Sequence, residues 1–284
     1  MWWILGIVVV VAAAGFVVEW RRPVVDRGRA PGRYTRLPMG DVHYEWGGPV
    51  RGPVIVAIHG LLRPSTVWND VADELGRLGY RVLVYDLPGR GWSPAPGGRV
   101  DHVRLLEAFL ADRGLDEDVT LLGYSMGGAI ATAYAAAHPE AMKRLILVAP
   151  AGIEMREARF DRFVRTVPGL GDWLVRVAGP VLARQWGRSD GDGRRGYWPS
   201  VLADRRGILA DRQEAEHRKI ARDGVPVLAV WGAEDAVVPI SALGTFTQWN
   251  RGAFQEMVAG AGHALTVTHP AQVAAAMREM LRDG

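Results

Sequence analysis

Apolar residues in this chain fall into runs of different character. The first, MWWILGIVVVVAAAGFVVEWRR, carries no charged side chain from Met1 to Val18. A helix of that length, rising about 1.5 Å per residue, nearly matches a hydrocarbon core of about 30 Å. Trp2 and Trp3 at one end and Trp20 at the other suit the two interfaces, so the pattern predicts a transmembrane anchor over residues 1–20. A cleaved signal peptide or a buried core helix are the competing readings. No basic region precedes the run, and Phe16, Val17 and Val18 continue it past Ala12–Ala14, which weakens the first of these.

The runs that follow are short. Val54–Ile58, Val82–Tyr85, Val119–Leu122, Leu145–Val148 and Val227–Trp231 are rich in branched residues, as strands buried on both faces are. Helical stretches separate them. Val67, Val71, Leu75 and Leu78 recur at helical spacing, with Ser65 or Thr66 as a candidate cap. YTRLPMGDVHYEWGG reads as a hairpin around Gly40-Asp41, and Phe254–Val258 is a further β-prone run. Alternating strands and helices predict an α/β fold, a mostly parallel sheet flanked by helices on both faces.

One connection breaks the rhythm. From Ile153 to Gly224 about 70 residues separate two strands that a short loop usually joins. The stretch includes FDRFVRTVPGLGDWLVRVAGPVLARQW, in which apolar and arginine residues alternate in blocks broken at Pro168-Gly169 and Gly179-Pro180. This predicts a helical lid over 153–224, inserted into a core formed by 34–152 and 225–284, with the Arg/Pro/Gly-rich stretch 21–33 as a linker. GRSDGDGRRG, at 187–196, reads as a loop within it.

At 284 residues and 49% hydrophobic, the chain has material for one large domain with an insertion. A net charge of +3 without an aromatic-basic pattern argues against nucleic acid as partner. The absence of cysteine excludes disulfides, thiol catalysis and cysteine-based zinc sites, and the seven histidines show no HExxH spacing, so no metal or cofactor is expected. Arg21, Arg22, Arg27, Arg29, Arg33 and Arg36 follow the anchor and nothing basic but the α-amine precedes it, which places the soluble domain in the cytoplasm. The sequence carries no signal for oligomeric state.

The chemistry centres on LLGYSMGGAIATAYAAAHP at 121–139. Gly123-Tyr124-Ser125-Met126-Gly127 matches G-x-S-x-G between a β-run and a helix-prone run. A strand that turns sharply into a helix strains its central residue, and side chains at the flanking positions would clash there. A helix-capping serine is the alternative reading of Ser125. Asp235 stands in the turn of VWGAEDAVVP, where the spacing to Gly232 and Pro239 favours it over neighbouring Glu234 as the acid. His263 lies in the glycine-rich MVAGAGHAL. His269 suits a helix start, whereas His43, His102, His138 and His217 read as surface residues or local hydrogen-bond partners.

With these motifs in the order Ser, Asp, His, the chain resembles the α/β-hydrolase superfamily from about Tyr34 to its C-terminal helix. The resemblance implies Ser125 as nucleophile, His263 as general base and then acid, and Asp235 as the residue that fixes the imidazole tautomer. His59-Gly60 resembles the family's H-G oxyanion loop, which makes the Leu61 and Met126 amides the expected oxyanion hole. Asp86 in YDLPGRGWS resembles a structural turn residue of the family. The implied activity is hydrolysis of a lipid-type acyl ester such as a monoacylglycerol or lysolipid. Carbon–carbon bond or thioester hydrolysis, and a non-catalytic accessory protein of the same fold, are the alternatives.

Overall fold

The computed structural model describes residues 2–95, 100–156, 194–210 and 212–282, together with 162, 166, 167, 171, 173–175 and 177. Of the expected lid, Arg176, Val181, Leu182, Arg184, Trp186 and Arg188 lie outside the described residues, as do positions 187–193 of the expected loop.

The short branched runs form one eight-stranded sheet in the order β1-β2-β4-β3-β5-β6-β7-β8. Its strands are β1 (Arg33–Leu37), β2 (Gly40–Gly47), β3 (Val54–Ile58), β4 (Arg81–Tyr85), β5 (Val119–Tyr124), β6 (Met142–Val148), β7 (Val227–Gly232) and β8 (Phe254–Val258). The pair β1–β2 and the pair β2–β4 are antiparallel, and every other pairing is parallel. The hairpin turns at Pro38-Met39, because Leu37 pairs with Gly40; the expected turn at Gly40-Asp41 lies instead at the start of β2.

The period of two along each strand divides the core. Val56, Ile58 and Leu121 face one layer, with α3 (His102–Arg113), α4 (Met126–Ala137), α6 (Glu214–Arg222) and α7 (Ser241–Trp249). Ile55, Ala57 and Leu122 face the other, with α2 (Asn69–Arg77) and α9 (Pro270–Leu281), the latter preceded by the short α8 (Leu265–Thr268). A single tight turn at Ser65–Trp68 leads into α2, and neither Ser65 nor Thr66 caps it. The Ser65 amide instead donates to Asp86 Oδ1 at 2.8 Å, so this end of the helix is tied to the β4 turn.

Within 153–224 two helices are described. Helix α5 (Tyr197–Ala210) carries a small apolar cluster of its own with Val175, Tyr197, Trp198, Val201 and Leu202. Helix α6 differs from the expected lid: it packs on α4 and α7 in the sheet's own helical layer, with Ile220 buried in that core.

The N-terminal run forms helix α1 (Trp2–Trp20). Among the described residues no helix is long and apolar enough to cross a membrane; the side chains of 4–9 and 11–12, in the middle of the apolar run, lie outside that description. The stretch expected to be a linker is held at several points. Arg22 is buried against Glu19, the Pro23 carbonyl accepts from the Arg195 amide at 2.8 Å, and Pro31 O meets the ring of His43.

Candidate active site

Strand β5 ends at Tyr124 and α4 begins at Met126, leaving Ser125 alone in the bend with φ +52. A non-glycine residue with positive φ is strained, and the surroundings hold it there. The Ser125 amide donates to Val148 O at 3.0 Å, and its carbonyl accepts from the Gly128 amide at 2.9 Å. The framing glycines permit the approach. A Cβ at Gly127 would stand 2.2 Å from Ile58 O, and one at Gly123 would stand 2.5 Å from Gly127 O. Ser125 makes no capping bond to its helix, which removes the capping alternative.

The hydroxyl of Ser125 lies 3.0 Å from His263 Nε2. On the other side of that ring, Nδ1 lies 2.8 Å from Asp235 Oδ2. The second carboxylate oxygen accepts from the amides of Val237 at 2.7 Å and Val238 at 2.9 Å. With Oδ1 taken up by these two amides, Oδ2 is the oxygen that faces the ring; accepting there from Nδ1–H, it leaves Nε2 free of a proton and able to receive the one from serine. Tyr124 OH donates to His263 O at 2.9 Å and its ring lies against the imidazole, restraining the loop. Burial pushes the Tyr124 phenol well above its ordinary value, so it stays protonated.

Helix α4 starts at Met126, whose N–H is one of the first-turn donors that lack an intrahelical partner. The second expected donor is set by His59. Its Nε2 accepts from the Leu87 amide at 2.8 Å, which leaves the proton on Nδ1 to donate to Gly60 O at 2.7 Å. That carbonyl and the Leu61 N–H belong to one peptide plane, so holding one orients the other. Complete burial lowers the His59 pKa to about 4, which keeps the ring neutral and this tautomer in place.

Sequence reasoning missed a buried network beneath this turn. Asp86, at the end of β4, accepts from the Ser65 and Trp92 amides and lies 2.9 Å from His43 Nδ1. Burial opposes the charge on Asp86, but these donors leave its pKa below the usual value. His43 is fully buried rather than at the surface, and so is His217. His102 pairs with Asp204 and His138 with Glu107, each at 2.8 Å. His269 precedes α9 without capping it. Glu234, the alternative acid, is not among the partners of His263.

A cavity of about 520 Å³ opens between α3, α4 and α5. Met126, Ile130 and Val103 give it an apolar wall, with Asp101, His102, Asp204 and Gln213 as polar members. Gln213 Nε2 donates to Ala129 O, while its buried Oε1 has no partner among the described residues. Among the described residues no group of histidine and carboxylates could hold a metal ion.

The arrangement can deprotonate an alcohol while it attacks a carbonyl, with the Leu61 and Met126 amides as the expected donors to the oxygen that becomes negative. A family model described as the alpha/beta hydrolase fold matches residues 53–189. The pimeloyl-[acyl-carrier protein] methyl ester esterase of Aeromonas hydrophila is 26% identical over 241 residues, covering 78% of this chain and 92% of its own length. A bacterial membrane phospholipase A superposes with a TM-score of 0.70 at 23% identity, over 97% of this chain and 91% of that one. A carboxylesterase from the ammonia-oxidizing thaumarchaeon Nitrososphaera gargenis gives 0.73 at 17% identity, over 88% and 97%. The matched family model and these relatives agree with the architecture: the chain has the alpha/beta hydrolase fold and is similar to enzymes of that superfamily.

Proposed function

We propose that this chain is a serine hydrolase of carboxylic esters that acts on lipid-type acyl substrates such as a monoacylglycerol or lysolipid. The observation that carries the reading is the unbroken relay from Ser125 through His263 to Asp235, at 3.0 Å and 2.8 Å. As the Ser125 oxygen attacks the ester carbonyl, His263 Nε2 takes its proton and Asp235 stabilises the imidazolium. The carbonyl oxygen becomes negative against the Leu61 and Met126 amides. Collapse expels the alcohol, protonated by His263, and leaves an acyl-Ser125 ester. Water repeats the sequence with His263 again as base, releasing the acid and restoring the serine.

The substrate class rests on three supports. The cavity beside Met126 is large enough for a chain and has an apolar wall. The Aeromonas relative is an ester hydrolase, and a membrane phospholipase A shares the fold over nearly the whole chain. The N-terminal run, uncharged through Val18, suits a bilayer, with Arg21 and Arg22 on its cytoplasmic side. In this reading α1 is the membrane anchor and the inserted segment around α5 is a lid.

A fluorophosphonate probe tests the chemistry. Wild-type protein is expected to label, Ser125→Ala not at all, and His263→Ala only slowly. Labelling that survives in Ser125→Ala would overturn the assignment. Aryl esters of graded chain length test the substrate, with rates expected to rise from acetate to medium chains; activity confined to acetate would exclude lipid esters.

A further inference from the structure

The loop that carries the Leu61 amide is gripped from the inserted segment. Arg90, in the turn after β4, has a fully buried guanidinium. Its Nε donates to Leu61 O at 3.1 Å and its Nη1 to Pro88 O at 3.0 Å. Its Nη2 lies 2.6 Å from Oδ2 of Asp204, on α5. The other Asp204 oxygen lies 2.8 Å from His102 Nε2 at the start of α3. Helix α5 makes a second attachment one residue along, where Tyr197 OH donates to Leu62 O at 2.7 Å. Leu61 and Leu62 themselves pack on the apolar cluster of α5.

These contacts bear on one dihedral pair. His59 holds the peptide plane before Leu61, through Gly60 O. Arg90 holds the plane after it, through Leu61 O. With both planes held, the backbone angles of Leu61 are fixed and its N–H has a single direction. A guanidinium without water needs a paired anion to remain in place, and Asp204 is the carboxylate within reach. Burial opposes the charge on Asp204, yet the His102 hydrogen bond and the Arg90 charge leave its pKa below the ordinary carboxylate value. The ion pair is therefore intact wherever the protein is folded near neutral pH.

We infer that Asp204 and Arg90, with Tyr197, are positioning residues for the oxyanion hole, so that seating of α5 on the core sets the direction of the Leu61 amide. The inference rests on the serine-hydrolase reading and adds a mechanism for coupling to it. A lid that only covered the substrate would change access. This one also bears on transition-state binding, because lifting α5 removes both the carboxylate that keeps the Arg90 guanidinium on Leu61 O and the Tyr197 hold on Leu62 O.

The test uses Asp204→Asn and Tyr197→Phe in the full chain, with a small soluble ester, p-nitrophenyl butyrate, and a trifluoromethyl ketone. The ketone forms a tetrahedral adduct whose oxygen sits where the oxyanion would, so its inhibition constant reads the hole directly. For Asp204→Asn, kcat is expected to fall about tenfold or more with KM within about twofold, below the 10²–10³ of losing a donor outright. The ketone's inhibition constant should rise by the factor lost in kcat/KM. Tyr197→Phe keeps the buried ion pair, so it decides the matter if Asp204→Asn does not fold; a fall of about threefold in kcat, matched by the ketone, is expected. Folded variants with unchanged kcat and ketone affinity, or with KM alone raised, would overturn the inference. Wild-type protein inert to the fluorophosphonate would instead sink the hydrolase reading itself.

Discussion

At the residue scale, some side chains announce themselves in the sequence and others depend on neighbours far along the chain. Ser125 is legible because its glycines are required by backbone contacts as close as 2.2 Å. His43 is not, because its partner Asp86 becomes adjacent only when β2 pairs with β4, Tyr44 opposite Tyr85. Arg90 and Asp204 are hidden for the same reason, 114 positions apart in number and 2.6 Å apart in space. His217 is the sharpest case. It is fully buried against Phe246 and Trp249, and neither ring nitrogen has a hydrogen-bond partner among the described residues. Burial lowers its pKa to about 4. As pH falls from about 6.5 toward 4, the unfolded chain binds this proton before the folded one does, so stability is lost at up to about 1.4 kcal/mol per pH unit across that window. His217→Leu should remove this contribution and flatten part of the acid limb, His59 supplying another part. At pH 7 the same change should stabilise by about 1 kcal/mol, since it replaces an unsatisfied buried polar group with an apolar one. Urea unfolding at pH 5 and pH 7 measures both; a less stable variant at pH 7 would show that a ring nitrogen is bonded.

At the element scale, the central strands β3, β4, β5 and β7 are readable to within a few residues because their apolar runs are buried on both faces. The ends of elements were less so. The hairpin's turn was displaced because Pro38-Met39 makes the bend while Gly40, at φ +126, opens the strand. Helix α6 was hidden in the inserted stretch because its helical pattern says nothing about which surface it joins; contact with α4 decides that. The β5–α4 elbow is the element on which the site depends, and two glycine substitutions separate packing from propensity. Gly127→Ala puts a Cβ 2.2 Å from Ile58 O and 2.6 Å from His59 O, both backbone atoms of the oxyanion turn. It should cost about 1–3 kcal/mol of stability and most of the activity. Gly244→Ala, in α7 with open space around the new methyl, should stabilise by up to about 1 kcal/mol and leave activity unchanged. Thermal melts and ester turnover on the two proteins check the contrast; equal gains in stability would mean that helix propensity, not contact, governs both.

At the scale of the whole molecule, the question is how α1 relates to the domain it precedes. Trp2, Trp3, Phe16 and Trp20 are each more than 60% exposed, an apolar surface that water does not favour. Its last turn, by contrast, is engaged with the inserted segment. Gly196 N donates to Glu19 Oε1 at 2.6 Å, and the Arg195 guanidinium stacks on the Trp20 ring at 4.5 Å. Gly15 packs so closely on Trp173 that a Cβ there would stand 2.4 Å from the indole. The helix thus exposes apolar side chains at Trp2, Trp3 and Val10 while its last turn is tethered, an arrangement that suits the proposed anchor. Deleting residues 2–14 removes the free end and keeps Gly15, Glu19 and Trp20. The shortened protein should no longer float with anionic vesicles, while its kcat on p-nitrophenyl butyrate stays within about twofold, because Ser125, His263 and Asp235 are held by the sheet and its loops. Hydrolysis of a lysolipid presented in vesicles should fall at least tenfold. If turnover of the soluble ester fell by the same factor, α1 would be part of the fold's packing rather than an anchor; if the shortened protein still floated, the membrane would be held by another surface.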